Sequence, residues 1–173
     1  MDIHIPVLER MYQKRLKSYS AIGYKTKLLS NANATPNLIY DGQSFYQGFC
    51  LDLQAAHSEI LIVSLFMRKS RITGVLKQLT HAIETGVRVN VVTRPPEDFK
   101  EKERDAVIVC TELLQRSGVT VKYKSDFHQK FTVIDQSVVW YGSVNFLSFG
   151  THEESIMRFE NADIAGQLMD TVL

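Results

Sequence analysis

Residues 125–146 read SDFHQKFTVIDQSVVWYGSVNF. Two short runs rich in β-branched and aromatic residues, KFTVID and SVVWYG, follow one another with almost nothing between them. That spacing predicts an antiparallel hairpin, which ESIMRFE extends by a further strand. Upstream the pattern is different. EILIVSLF (59–66) is a short buried strand by length and branching, and the helical spacing over about 71–85 is stopped by Gly86. The strand VRVNVVT (87–93), a helix over about 104–117 ending at Gly118, and the strand VTVKY (119–123) follow. Strand, helix and strand alternate here, which calls for parallel pairing through crossovers. Where the two patterns meet, the expectation is an α/β domain with a mixed parallel/antiparallel sheet flanked by helices on both faces.

The outer parts complete that reading. NLIYDG is expected as a short strand, QSFYQGFCLDLQAAH as a helix with Phe45, Phe49 and Leu53 on one side, and 162–171 as a last helix. RPPEDFKEKERD (94–105) is charged and proline-led, so it reads as an exposed loop. Residues 5–20 carry helical spacing, with Pro6 suited to a first turn, and SNANATPN (30–37) is a turn-rich connector. The expected organisation is a basic helical segment and connector over 1–36 and the α/β domain over 37–173. Residues 1–30 hold Arg10, Lys14, Arg15, Lys17, Lys25 and Lys27 against Asp2 and Glu9, with Tyr12, Tyr19 and Tyr24 interleaved. Such a segment either holds phosphates and stacks on bases or is a solvated helix face.

Composition narrows the class without naming it. The chain has 173 residues, 45% hydrophobic and 23% charged, enough for one buried core. A net charge of +1 gives no global pull toward nucleic acid or membrane, so partner preference must be local. Cys50 and Cys110 show neither pairing nor metal spacing, which fits a reducing, cytoplasmic setting. The longest apolar run is too short to span a bilayer, and the N-terminus has no signal-peptide core, so no membrane partner is expected.

The chemistry concentrates in the opening stretch. Alternation puts His128 and Lys130 on one side of a strand, with Gln129 opposite. The lysine carries a fixed charge suited to an anion, while an imidazole can serve as nucleophile, base or acid. Asp135 lies on the opposite parity, so its expected task is to pair with a buried polar group or to fix the strand's end. Gly142 and Ser143 offer close backbone approach, a hydroxyl and backbone N–H groups, and Asn145 offers an amide, all suited to phosphate oxygens. His152 reads as a loop histidine.

Taken together, His128-x-Lys130-x4-Asp135-x6-Gly142-Ser143-x-Asn145 resembles the HKD motif of the phospholipase D superfamily position for position. The resemblance implies that fold, and a phosphodiesterase acting through a phosphohistidine on His128 with Lys130 and Asp135 in the motif. It also implies an acid shortly after the asparagine that holds the histidine ring. THEESIMRF offers Glu153 and Glu154 for that task, and Glu154, directly before the strand residues, fits better. No metal or other cofactor is implied. In-line transfer needs a nucleophile on one side of phosphorus and an acid on the other, which one histidine cannot supply together. Single-motif members of the superfamily pair as homodimers, so a homodimer is the expected partner here.

Short single-motif members are more similar to nucleases than to lipid enzymes. The expected activity is therefore a DNA endonuclease, DNA before RNA, in a module fused to or associated with a helicase or restriction protein. A phospholipid-hydrolysing or phosphatidyl-transferring enzyme, and a catalytically weak nucleic-acid-binding module, are the alternatives.

Overall fold

A computed structural model describes residues 38–41, 44–150 and 154–172. The expected helix over 5–20, the connector, the basic segment, His152 and Glu153 all lie outside the described residues. Seven strands form one sheet: β1 (Leu38–Tyr40), β2 (Glu59–Val63), β3 (Arg88–Thr93), β4 (Thr120–Tyr123), β5 (Phe131–Ile134), β6 (Val138–Gly142) and β7 (Ile156–Glu160). Their order is β1-β7-β6-β5-β2-β3-β4. β2, β3 and β4 pair parallel, and every other neighbouring pair is antiparallel. The sheet is mixed, and β2 is the strand at which its two halves join.

Alternation decides which side each helix covers. Ile60 and Ile62 of β2 face a core built with Val89 and Val91 of β3 and with three helices, α1 (Phe45–Gln54), α2 (Lys69–Glu84) and α3 (Glu101–Arg116). These helices contribute Phe45, Phe49 and Leu53; Ile72, Val75 and Leu79; and Val107, Cys110 and Leu114. Leu61 and Val63 face the other way, into a smaller cluster with Phe131, Val133 and Val139, closed by Ala165 of α4 (Ala162–Asp170). Period-two residues buried on both sides explain why β2 reads as a continuous apolar run. Gly86 ends α2 at φ +90°, a left-handed conformation that costs glycine nothing, while Val87 N–H returns to the Ala82 carbonyl oxygen at 2.9 Å.

Two expectations need correction. The segment 94–105 is not a loop throughout. Pro96–Asp98 forms a 3-10 turn with proline at its first position, and α3 begins at Glu101 rather than near 104. Glu101 and Glu103 sit in its first turn, where carboxylates complement the unpaired N–H groups, and Phe99 is buried. In addition, the motif strand starts at Phe131, so His128 and Lys130 precede it, outside regular strand. Pairing continues weakly by one residue, with Gly142 N–H donating to the Lys130 carbonyl oxygen at 3.4 Å. β2 has already ended at Val63, opposite Phe131, so the chain before β5 has no second neighbour to hold it in the sheet.

Candidate active site

The ends of β2, β3 and β6 and the start of β5 lie at one edge of the sheet, since Val63 is opposite both Val92 and Phe131, and Phe131 is opposite Tyr141. In an α/β sheet this is the edge outside the carboxyl ends of the parallel strands, where ligands bind. His128, Lys130, Ser143 and Asn145 all lie there. His128 is exposed and Lys130 half-buried. Lys130 Nζ donates to the His128 carbonyl oxygen at 3.1 Å and stands 3.4 Å from Nδ1 of the same ring. Imidazole and ammonium therefore touch, as their i, i+2 spacing predicts, although neither is in regular strand.

Gly142 is required by close approach. A Cβ there would stand 2.2 Å from the Ser155 carbonyl oxygen and 2.9 Å from Ile156 Cα, both backbone atoms of the next strand. The backbone N–H groups expected to serve a phosphate are engaged elsewhere. Gly142 N–H reaches Lys130, and Ser143 N–H donates to the Ser155 carbonyl oxygen at 3.1 Å. The antiparallel pairing with β5 and β7 runs on through these two residues and consumes both donors. What Ser143 presents is its hydroxyl, which accepts from Ser155 N–H at 3.2 Å and donates to Glu154. Glu154 is thus held by Ser143, and no hydrogen bond or ion pair joins it to His128.

Asn145 has a double position. Its Oδ1 accepts from Leu65 N–H at 3.2 Å, which leaves its Nδ2 as the end directed to other acceptors. That bond is one of a set fastening the chain after β2 to the chain after β6. Ser64, fully buried, donates to the Phe66 carbonyl oxygen at 2.9 Å and accepts from Leu147 N–H at 3.3 Å. Arg68 N–H donates to Leu147 O at 2.7 Å. Arg71 Nε bonds the Phe149 carbonyl oxygen at 2.9 Å, and its guanidinium lies 4.0 Å from the centroid of that ring. None of Ser64, Arg68 and Arg71 was singled out by sequence reasoning. The one signal available was a serine and an early arginine interrupting the apolar run ILIVSLFMR.

Asp135 lies apart from this edge, at the far end of β5. Asp135 and Gln136 have φ of 50° and 54°, and Ser137 N–H donates to the Ile134 carbonyl oxygen, so the chain turns tightly through two left-handed residues. The Asp135 carboxylate accepts from Ser58 N–H at 2.8 Å, His57 N–H at 2.9 Å, Glu59 N–H at 3.1 Å and the Ser58 hydroxyl at 2.9 Å. Burial alone would push its pKa up; the donors of Ser58, His57 and Glu59 outweigh that and hold it below the usual aspartate value. It fixes the strand's end, through three main-chain N–H groups and the Ser58 hydroxyl where β2 begins.

A histidine-lysine pair and a glycine-serine-x-asparagine turn at this edge of a mixed sheet define a class of phosphodiester-acting enzymes built on one fold. The chain belongs to the PLD-like family of that class, since residues 49–172 match the family described as cardiolipin synthase, PLD-like domain. No curated protein is matched by sequence. Among solved structures the chain is similar to the phospholipase D family member Nuc from Salmonella typhimurium, at 19% identity and a TM-score of 0.60, covering 79% of this chain and 91% of that one. NucT from Helicobacter pylori is similar at 14% identity and a TM-score of 0.59, with 79% and 92% covered. The phosphatidylserine synthase of Haemophilus influenzae is similar at 12% identity and a TM-score of 0.61, with 79% of this chain but 36% of that one covered. At these identities the likeness is one of fold. No helix among the described residues is long and apolar enough to cross a membrane.

Proposed function

We propose that this chain is a phosphodiesterase that cleaves DNA as a homodimer, with His128 forming a phosphohistidine. The observation that carries this is the contact of one imidazole with one ammonium at the sheet edge where Asn145 also lies, with a single imidazole where in-line transfer uses two. In the reaction, His128 of one subunit attacks phosphorus and the His128 of its partner protonates the leaving oxygen. The second ring then takes a proton from water, whose oxygen displaces the first ring and releases the phosphomonoester. Lys130 Nζ, parked on His128 in the free protomer, moves to the phosphate oxygens and frees Nδ1. Asn145 Nδ2 supplies a neutral donor, and Asp135 keeps β5 in register rather than touching substrate. Ser143 engages only Oε2 of Glu154, so the second carboxylate oxygen is the one that would take a ring nitrogen, and the role of Glu154 in orienting His128 belongs to the loaded site.

The likeness to Nuc and NucT, each covered over nine-tenths of its length, supports a small single-motif site of this kind. Phosphatidyl transfer is the second reading, favoured by the name of the matching family and by the phosphatidylserine synthase neighbour. The test is cleavage of labelled DNA, labelled RNA, phospholipid vesicles and a small chromogenic phosphodiester, each with excess EDTA. DNA cleavage that survives EDTA, vanishes in His128→Ala and leaves a trappable phosphohistidine at position 128 is the expected result. Activity confined to vesicles, or abolished by EDTA and restored by magnesium, would sink the proposal.

A further inference from the structure

Beside the phosphate edge lies a cleft of about 450 Å3 between the chain after β2 and the start of α3. Its lining includes Asn145 and Glu154 from the phosphate site together with Phe66, Phe99, Arg68 and Lys102. Phe66 stands out chemically. Its neighbours Leu65 and Met67 are buried at 2% and 7% exposure, whereas this large apolar ring remains 42% exposed. Its position is well fixed nonetheless. The Ser64 hydroxyl holds the Phe66 carbonyl oxygen, and the ring meets buried Phe99 edge to face, with centroids 5.8 Å apart at 78°.

Arg94, which follows β3 at the same sheet edge, completes the group. Its guanidinium lies 5.0 Å from the Phe99 centroid and 5.9 Å from that of Phe66. It cannot swing freely, because it donates to the Asp98 carbonyl oxygen at 3.0 Å and pairs with the Asp98 carboxylate at 3.6 Å. The 3-10 turn at Pro96–Asp98 thus holds a cation against two aromatic rings. An exposed ring beside a fixed guanidinium suits a flat heteroaromatic ring with a polar edge: the ring stacks and the edge finds donors. Arg68 and Lys102 line the same cleft and suit the phosphates on either side of such a ring. An acyl chain would gain nothing from the guanidinium and would have to displace water from Arg68, Lys102 and Glu103.

We propose that Phe66, with Arg94 and Phe99 behind it, is a shelf for one unpaired base of the nucleotide next to the scissile phosphate. The enzyme is thereby selective for single-stranded nucleic acid. This rests on the phosphodiesterase reading above, whose phosphate site shares Asn145 and Glu154 with the cleft. A base within a duplex is already stacked and paired, and bringing it to a recessed shelf costs a few kcal/mol of unstacking. A single strand has less to give up.

The experiment separates the two readings by measuring binding without turnover. In the dimeric His128→Ala protein, affinity is measured for a short single-stranded oligonucleotide, for its duplex, and for a series carrying one abasic residue at successive positions. Phe66→Ala added to that protein should weaken single-strand binding roughly 5- to 150-fold, the range of one base–aromatic stack, and should narrow the preference over duplex. Phe66→Trp should retain both. One position in the abasic series should reproduce the loss with Phe66 present and cost almost nothing further with alanine there. An unchanged affinity, or equal losses on intact and abasic strands, would overturn the shelf. So would dissociation of the Phe66→Ala dimer by light scattering, which would assign the ring to the contact with a second copy. Failure of the His128-intact protein to cleave any phosphodiester would defeat the proposed function, while the binding comparisons would still decide the shelf.

Discussion

Replacing Asp135 tests whether the aspartate of the motif works through stability or through chemistry. Its carboxylate receives three backbone N–H groups and one hydroxyl from residues 57–59. Hydrogen bonds to a charged group contribute about 1.5–3 kcal/mol each where water cannot replace them. His57 and Ser58 are exposed, so water recovers much of that, and the set together is worth about 2–4 kcal/mol. Backbone strain adds to it, because φ of 50° costs alanine about 1–2 kcal/mol more than asparagine or glycine. Asp135→Ala should therefore lose about 3–6 kcal/mol, Asp135→Gly about 2–4, and Asp135→Asn, which keeps one acceptor and tolerates the turn, about 1–2. For a chain of this length the alanine loss lowers Tm by roughly 10 °C.

The fully buried Trp140, the chain's only tryptophan, reports unfolding by fluorescence in urea or on heating, at fixed protein concentration. A pH series adds a sign. The folded carboxyl is held below its unfolded value of about 3.9, so its contribution is complete above that value. It fades as pH falls from there through the lower folded pKa, and the wild-type advantage over Asp135→Asn should shrink over that interval. Far below the melting range, the rate per folded Asp135→Ala molecule should fall much less than the rate of Lys130→Ala. A variant as stable as wild type but without turnover would refute the reasoning and return Asp135 to the chemistry.

Gly142→Ala should be far more damaging than its one added carbon suggests, since that carbon meets the Ser155 backbone at 2.2 Å. Pushing β6 from β7 should cost roughly 1–3 kcal/mol or more and displace Ser143, which a urea titration and the turnover rate would both register. Asp52→Ala removes the acceptor for Trp140 Nε1 at 2.7 Å and the main partner of Arg158, also at 2.7 Å. Arg158 keeps only Glu160, so about 2–4 kcal/mol should be lost in urea, and less when Arg158→Met accompanies the change. In the basic segment, replacing Lys14, Arg15 and Lys17 together by alanine should flatten the salt dependence of DNA binding by about two to three units of logarithmic slope. An unchanged slope would leave that segment as a solvated face.

The strands and helices were legible because each carries its own periodicity over a few residues. α2 and β3 depart from expectation by only a residue or two at their ends. The motif was legible for a different reason, the fixed spacing from His128 to Asn145. What escaped was contact between distant segments. Asn145 reaches Leu65 across 80 positions and Asp135 reaches His57 across 78, and no local pattern marks either pairing. The loss of the Gly142 and Ser143 N–H groups to the sheet escaped likewise, because a Gly-Ser pair reads as a phosphate turn until its neighbours are known. The segment after Arg94 misled through composition: charge and proline signalled a loop, whereas acids in a first helical turn and buried Phe99 determine the helix.

A two-fold dimer and a nucleic-acid strand differ in symmetry, and the proposed site has consequences that follow from that difference. In the proposed dimer the two copies of His128 are equivalent until a substrate enters. A strand has direction, so the nucleotides on either side of its scissile phosphate present unlike groups to the two halves. If the Phe66 shelf accepts one neighbouring base, only the subunit facing that neighbour can use it productively. The staple through Asn145 and Ser64 links shelf and phosphate site within the same subunit. Engaging the shelf on one side would therefore fix the phosphate relative to that subunit's own His128. Identical histidines would thus acquire unlike roles, nucleophile and acid, from the polarity of the strand rather than from any difference between the subunits. A single motif is then sufficient, because the asymmetry that catalysis needs arrives with the substrate.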